Sequence, residues 1–216
     1  MATIETQQKD LTRRDRNKLK NRREILEAAL EIFAAKGYHQ ASMQAIADRA
    51  DFAVSTLYAL FENKEDLYRK VSADVGRQCG EIFDTAMARG DDPYEKLIHF
   101  ARAKGDVGRV SPDGNRMLEN ELHDRATGDV EPPPDGIAQI YDRFMLRIED
   151  LFAQGITEGL FVDQPPTLLA MLLDSMTNAL MKRSSTTDSY DERVENLITV
   201  FFGPVLSTEP PAASEG

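Results

Sequence analysis

The stretch Ser42-Met-Gln-Ala-Ile-Ala-Asp-Arg-Ala50-Asp-Phe-Ala53-Val-Ser-Thr-Leu-Tyr-Ala-Leu-Phe61 decides how the rest of the chain is read. Ser42 suits an N-cap, since its hydroxyl can accept from an amide of the first helical turn. Met43, Ile46 and Ala47 then recur at spacings of three and four, the apolar face of a helix that reaches about Ala50. Asp51, Phe52 and Ala53 make a three-residue break, and a second, short helix is expected from Val54 to Leu60. Turned at about 100° per residue, Val54, Leu57 and Phe61 fall on an inward face and Ser55, Thr56 and Ala59 on the outward one.

Helix, three-residue turn, short helix is the helix-turn-helix pattern, whose second helix lies in the major groove of DNA while the first crosses the backbone. Eight residues at about 1.5 Å each give about 12 Å, close to the width of that groove. Ser55 and Thr56 can bond base edges or phosphates, and Ala59 can pack against a thymine methyl. Three amphipathic helices also make ordinary bundles, so the pattern by itself leaves both readings open.

Outward from this stretch the chain reads as helices throughout. Upstream, Ile25, Leu26, Ala29, Leu30 and Phe33 share one face of a helix that begins at a capping box of Asn21 and Glu24 and stops at Gly37. Downstream, Asn63 caps a long fourth helix with Asp66 three residues on. Pro93 opens a helix through Leu97, Ile98 and Ala101; another is expected from Met117 to Arg125, before the rigid run Pro132-Pro133-Pro134. A stripe from Ile137 to Phe152 ends near Gly155 or Gly159. Pro165 and Pro166 then open a helix apolar nearly all round, and Val194, Leu197, Ile198, Phe201, Phe202 and Val205 mark the last. The fold class is therefore all-α, with about nine helices. The expected divisions are a basic arm over 1–20, a DNA-binding domain over 21–70, a helical domain over 71–206 and a disordered tail over 207–216.

Charge follows the same division. The net charge of −11 seems unfavourable for a DNA partner, because affinity for phosphates comes from Lys and Arg. Residues 1–70, however, hold 13 Lys and Arg against 11 Asp and Glu, and residues 71–216 hold 13 against 26. Lys9, Arg13, Arg14, Arg16, Lys18, Lys20, Arg22 and Arg23 face only Glu5, Asp10 and Asp15. Such asymmetry suits a polyanion-binding end, the alternative being a solvated tail. An arm of this kind can enter a narrow A·T minor groove, and steep salt dependence of binding is expected. No aliphatic run reaches 18 residues and the N-terminus opens on polar residues, so the expected place is the cytoplasm, without a membrane partner. The single cysteine, Cys79, agrees with a reducing compartment and is a poor redox sensor.

The wording of the N-terminal region is more specific than its pattern. Phe33-Ala-Ala-Lys-Gly-Tyr38, then Ser42-Met-Gln-Ala-Ile46-Ala47-Asp-Arg-Ala50, then Thr56-Leu57-Tyr58-Ala-Leu-Phe61-Glu-Asn-Lys64-Glu65-Asp-Leu67 closely resembles the DNA-binding domain of the tetracycline-repressor (TetR) family. The resemblance covers about residues 21–70. It implies a dimeric regulator, most often a repressor, that binds a palindromic double-stranded operator and is released by a small-molecule effector. By position, Thr56 and Tyr58 match residues that contact DNA in the family, and Lys64 matches a lysine that reaches a phosphate from the start of helix 4; Ser42 and Arg49 are weaker phosphate candidates. Tyr58 could instead finish the core, and Lys64 could be a solvated lysine at a helix start. The family typically has glycine where Asp51 stands, a Ser-type cap where Ala53 stands and an aromatic-histidine pair where Ala59 and Leu60 stand. The missing cap at Ala53 is expected to cost roughly 1 kcal/mol unless Asp51 substitutes for it.

The second domain is expected to hold the effector and the dimer interface. Phe83, Met87, Phe100, Met117, Tyr141, Phe144, Met145 and Phe152 offer an aromatic and Met-rich lining. The last two helices carry more apolar surface than one face can use, which assigns Leu172, Met176, Leu180, Leu197, Phe201 and Phe202 to a symmetric four-helix interface; an internal core is the alternative. No enzyme, cofactor or metal is expected. There is no phosphate-binding glycine loop, nucleophile elbow or His-Glu-x-x-His, and the Glu119 and His123 pair reads as surface. A regulator that recruits a protein partner without any ligand is the competing class.

Overall fold

The computed structural model describes residues 12–128, 133, 135–182 and 190–206. The start of the basic arm with Lys9, the prolines Pro132 and Pro134, and the tail expected over 207–216 lie outside them. Nine helices follow one another among the described residues: α1 (Arg13–Gln40), α2 (Met43–Ala50), α3 (Val54–Tyr58), α4 (Lys64–Met87), α5 (Pro93–Val110), α6 (Pro112–Thr127), α7 (Ile137–Thr157), α8 (Pro166–Lys182) and α9 (Tyr190–Val205). The described residues pair as strands only at one isolated antiparallel bridge, Phe161 to Leu206.

Local chemistry sets most of these boundaries. Ser42 Oγ accepts from the Ala45 N–H at 3.1 Å, as its position before α2 predicts. Asn63 Oδ1 accepts from the Asp66 N–H at 2.8 Å, while Asp66 Oδ2 accepts from the Glu62 N–H at 3.2 Å, closing the start of α4. Asp92 caps α5, with Pro93 in its first turn. The N-terminus of α1 departs from the sequence reading. It starts at Arg13, where Thr12 and Asp15 form a reciprocal capping box, eight residues before Asn21. Along the exposed turns, Lys20–Glu24 and Arg23–Glu27 pairs at i,i+4 accompany the continued helix. The expected stop holds in conformation, since Gly37 has φ +72° and breaks the helical geometry, although hydrogen bonding runs on to Gln40.

By packing, the chain forms two compact units. Of the described residues, one unit holds those up to Asp74 together with those of Asp113–Ala138; the other holds Val75–Pro112 together with those from Gln139 on. This differs from a single boundary at 70 because α6 packs with the N-terminal helices. Asn120 Nδ2 donates to Ala34 O at 3.0 Å, and Tyr68 Oη donates to Glu121 Oε2 at 2.7 Å. Ile25, Ala28, Ala29 and Phe33 of α1, Ile46 and Ala47 of α2, Leu57 of α3 and Leu67 of α4 are buried in this unit. Phe33 and Tyr68 meet edge to face at 4.8 Å, and Tyr38 meets Tyr68 at 4.9 Å. Met117, expected among the effector-lining residues, belongs here instead. It is 1% exposed beside Phe33, Tyr38 and Tyr68, and so serves the first unit's core.

The second unit is an aromatic core. Phe83 stacks on Phe144 at 4.6 Å, and Phe100 meets both at 5.1 and 5.5 Å; Phe152 packs against Phe161 at 5.4 Å. Met87 and Met145 are buried in the same cluster. The interface expected on the last two helices needs revision. Leu197, Phe201 and Phe202 face the unit's own core, Phe202 being 1% exposed with its ring edge-on to Tyr94 at 5.3 Å. Met176 and Leu180 are half-buried against that core. Of the six, only Leu172 stands exposed, at 44%; Leu168, Met171 and Val200 stand exposed with it. The stripe of α9 therefore completes its own unit, and the surplus apolar surface lies chiefly on α8.

Cys79, half-buried on α4, has its thiol pushed up to about 11 by desolvation. Labelling of the native protein by a thiol-reactive disulfide near pH 8 is expected to run well over tenfold slower than for the urea-unfolded chain. Equal rates would show that the thiol is not sheltered.

Candidate nucleic-acid interface

The geometry of residues 42–61 follows from one conformational feature. Asp51 takes the left-handed conformation (φ 58°, ψ 42°) that ends α2, its N–H turned back to Ala47 O and Asp48 O, while the Phe52 N–H reaches Ala47 O at 3.0 Å. Asp is among the few non-glycine residues that accept this region, so the turn survives without the expected glycine. Ala53 begins α3 with no side-chain cap, and Asp51 does not supply one. α3 is accordingly short, ending at Tyr58 rather than Leu60; the Ala59, Leu60 and Phe61 amides still bond back to Ser55 O and Leu57 O.

Leu57 is fully buried and anchors α3, and Phe61 closes the inner face at 2% exposure. On the other side, Ser55, Tyr58 and Ala59 are exposed, with Tyr58 at 55%, and Thr56 is half-buried. An exposed tyrosine beside a hydroxyl and a methyl on a short surface helix is available for base edges and phosphates. Tyr58 does not finish the core. Ser42 is exposed at the start of α2, where its hydroxyl is also the cap. Arg49 is exposed and paired with Glu31 of α1, a partner that sequence spacing does not suggest. Gln44 bonds Asp48 along the same outer face at 2.7 Å.

Lys64 is engaged with backbone atoms of its own unit. Its ammonium donates to the carbonyls of Tyr38 at 2.8 Å and Ala41 at 3.1 Å, lies 3.4 Å from that of His39, and sits 4.4 Å from the centre of the Tyr38 ring. These carbonyls follow the break at Gly37 and have no helical donors beyond them. Burial lowers the Lys64 pKa. The side chain thus caps the end of α1 from the start of α4, a use that the sequence alone does not reveal because its partners are backbone atoms.

The first turns of α1 add charge to this unit. Arg13, Arg14, Arg16, Lys18 and Lys20 are exposed, and the Arg22 guanidinium lies over the Phe61 ring at 5.0 Å. The described part of the basic arm is therefore helical. Among the described residues no group of three His, Cys, Asp or Glu could hold a metal ion, and no helix is long and apolar enough to cross a membrane.

Comparison with known proteins agrees with this geometry. Residues 25–71 match the family model described as bacterial regulatory proteins, tetR family. Over 190 residues the chain is 42% identical to the HTH-type transcriptional repressor KstR of Mycolicibacterium smegmatis, covering 84% of this chain and 87% of that protein. The fold is similar to the ketosteroid transcriptional regulator KstR2 of Mycobacterium tuberculosis (TM-score 0.68, 20% identity, 87% and 95% of the two chains). It is also similar to AibR in complex with isovaleryl coenzyme A and operator DNA (TM-score 0.68, 22% identity, 86% and 99%).

Proposed function

The chain belongs to the tetR family of bacterial regulatory proteins, and from that membership we propose that it is a cytoplasmic, homodimeric repressor that a small molecule releases from a palindromic operator. It is a DNA-binding transcriptional regulator and not an enzyme. The observation that carries the proposal is the outer face of α3, where Ser55, Tyr58 and Ala59 stand exposed opposite buried Leu57. Thr56 at the edge of that face, with Ser42 and Arg49 from α2, completes the proposed contact set. Arg49 would exchange Glu31 for a phosphate on binding.

Dimerisation gives the operator its symmetry, because two copies of α3 about 34–36 Å apart read successive major grooves. The exposed Leu168, Met171 and Leu172 on α8 support a second copy as the surface that covers them. The aromatic core around Phe83, Phe100 and Phe144 supports an apolar effector, as does the ligand class named for one similar fold, a ketosteroid regulator. Phe83, Phe100, Tyr141, Phe144, Met145 and Phe152 remain the proposed lining.

Tyr58→Ala is expected to weaken operator binding roughly tenfold or more with the melting temperature unchanged, because the side chain is exposed. Fluorescence anisotropy on the promoter fragment upstream of its own gene measures it. Arg14→Ala and Lys18→Ala are each expected to reduce the salt slope by about 1 instead, as phosphate contacts do. Undiminished binding by the Tyr58 variant would remove α3 from the interface. A regulator that no compound dislodges from the fragment, across chemical classes, would favour recruitment of a protein partner.

A further inference from the structure

Lys104 on α5 and Asp174 on α8 form an ion pair inside the second unit, their side chains 8% and 9% exposed. Asp174 is well supplied with donors. It accepts from Lys104 and from the Tyr141 hydroxyl of α7, and from Asn178 Nδ2 at 2.8 Å. Lys104 is not comparably satisfied. An ammonium carries three donors, and among the described residues Asp174 is its one hydrogen-bonding partner. The Phe100 ring also lies near, 5.7 Å from Nζ, and Phe100 is packed with Phe83 and Phe144.

Stability alone does not explain this arrangement, since a buried ion pair is seldom better for the fold than apolar side chains of equal volume. A lysine fixed by a carboxylate, with donors to spare and aromatic rings beside it, is suited to receiving an oxygen acceptor on an apolar molecule. Because Asp174 already neutralises Lys104, an uncharged acceptor leaves the core without net charge. A carboxylate would bring in an uncompensated negative charge. We propose that Lys104, held by Asp174, is the polar anchor of the effector site and takes the carbonyl or hydroxyl oxygen of an uncharged, otherwise apolar effector. This rests on the reading of the second unit as the effector-binding one. Phe83 and Phe144, packed with Phe100, are the apolar groups nearest this anchor for the body of the ligand.

The test uses the full chain and four probes. N-phenyl-1-naphthylamine, a fluorescent dye with no oxygen acceptor, reports apolar uptake. 2-Undecanone, undecan-2-ol and decanoate compete with it. The wild type is expected to take up the dye and to lose it to the ketone and the alcohol at concentrations about tenfold lower than to decanoate. Lys104→Met, and the uncharged pair Lys104→Met with Asp174→Asn, are expected to weaken competition by the ketone about tenfold, the value of one such hydrogen bond. The double variant separates loss of the anchor from damage by a lone buried charge. Equal competition in wild type and double variant, tighter binding of decanoate, or dye uptake that none of the three compounds reverses each overturns the anchor while leaving the effector reading in place. Failure of the wild type to take up the dye overturns both.

Discussion

Asp174→Ala is expected to cost the fold about 3–5 kcal/mol in urea denaturation, because it strands the Lys104 ammonium in the core without its counter-charge. The double substitution Lys104→Met with Asp174→Asn is expected to lie within about 1 kcal/mol of the wild type, since neither charge remains to be solvated. The deficit of the single variant carries a pH signature. Burial lowers the Lys104 pKa, and Asp174 acts in the opposite sense; without Asp174 the folded-state pKa falls further below the ordinary lysine value. Between those two pKa values the unfolded chain binds more protons than the folded one, so stability rises with pH. The gap to the wild type is therefore expected to narrow as pH is raised from about 7 toward about 10. A gap that stays constant, or a double variant as unstable as the single one, would show that something other than the lone charge is responsible.

Lys64→Ala is expected to lower stability by about 2–3 kcal/mol, since it leaves the carbonyls of Tyr38 and Ala41 without their charged donor. Operator binding is expected to fall with it, for the end of α1 supports the helices beside it. The salt slope distinguishes the two ways in which this lysine could matter. A phosphate contact would reduce the slope by about 1 on removal, whereas a cap of α1 leaves it unchanged. An unaltered melting temperature with a shallower slope would return Lys64 to the phosphate backbone.

Much of the DNA-binding unit was readable in the amino-acid order because its determinants are local. Ser42 and Asn63 accept from amides within one turn and Pro93 fixes the backbone in the first turn of α5, so their residue types announce the helices that they start. The start of α1 at Arg13 was not readable in that way. Its first turns are exposed on all sides, and a helix with no face to bury leaves no apolar period to count. Periodicity also says that a face is buried without saying against what. Phe201 and Phe202 looked like interface residues and are spent on their own unit, whereas the less conspicuous Leu168 and Met171 stand outside. Lys104 and Asp174, 70 residues apart, give no sequence signal as a pair. Nor do the carbonyls that engage Lys64, since every residue has one.

Glu121 shows how such long-range satisfaction shapes the order of events during folding. Buried at 2% exposure, it takes the Tyr68 hydroxyl and the amides of Ile137 and Ala138 at 3.1 and 3.2 Å. A Cβ at Gly136 would collide with its carboxylate oxygens. The first turn of α7 thus draws its cap from another helix, sixteen residues earlier in the chain, instead of from its own neighbour as α2 does. Local caps can form in about a microsecond or less, but this one must wait for α6 to dock. Glu121→Gln is therefore expected to speed unfolding while leaving the folding rate nearly unchanged, a φ-value near zero, whereas Ser42→Ala gives a higher one. In kinetic terms the carboxylate is a late lock: it contributes little to how quickly the unit is found and much to how long it lasts.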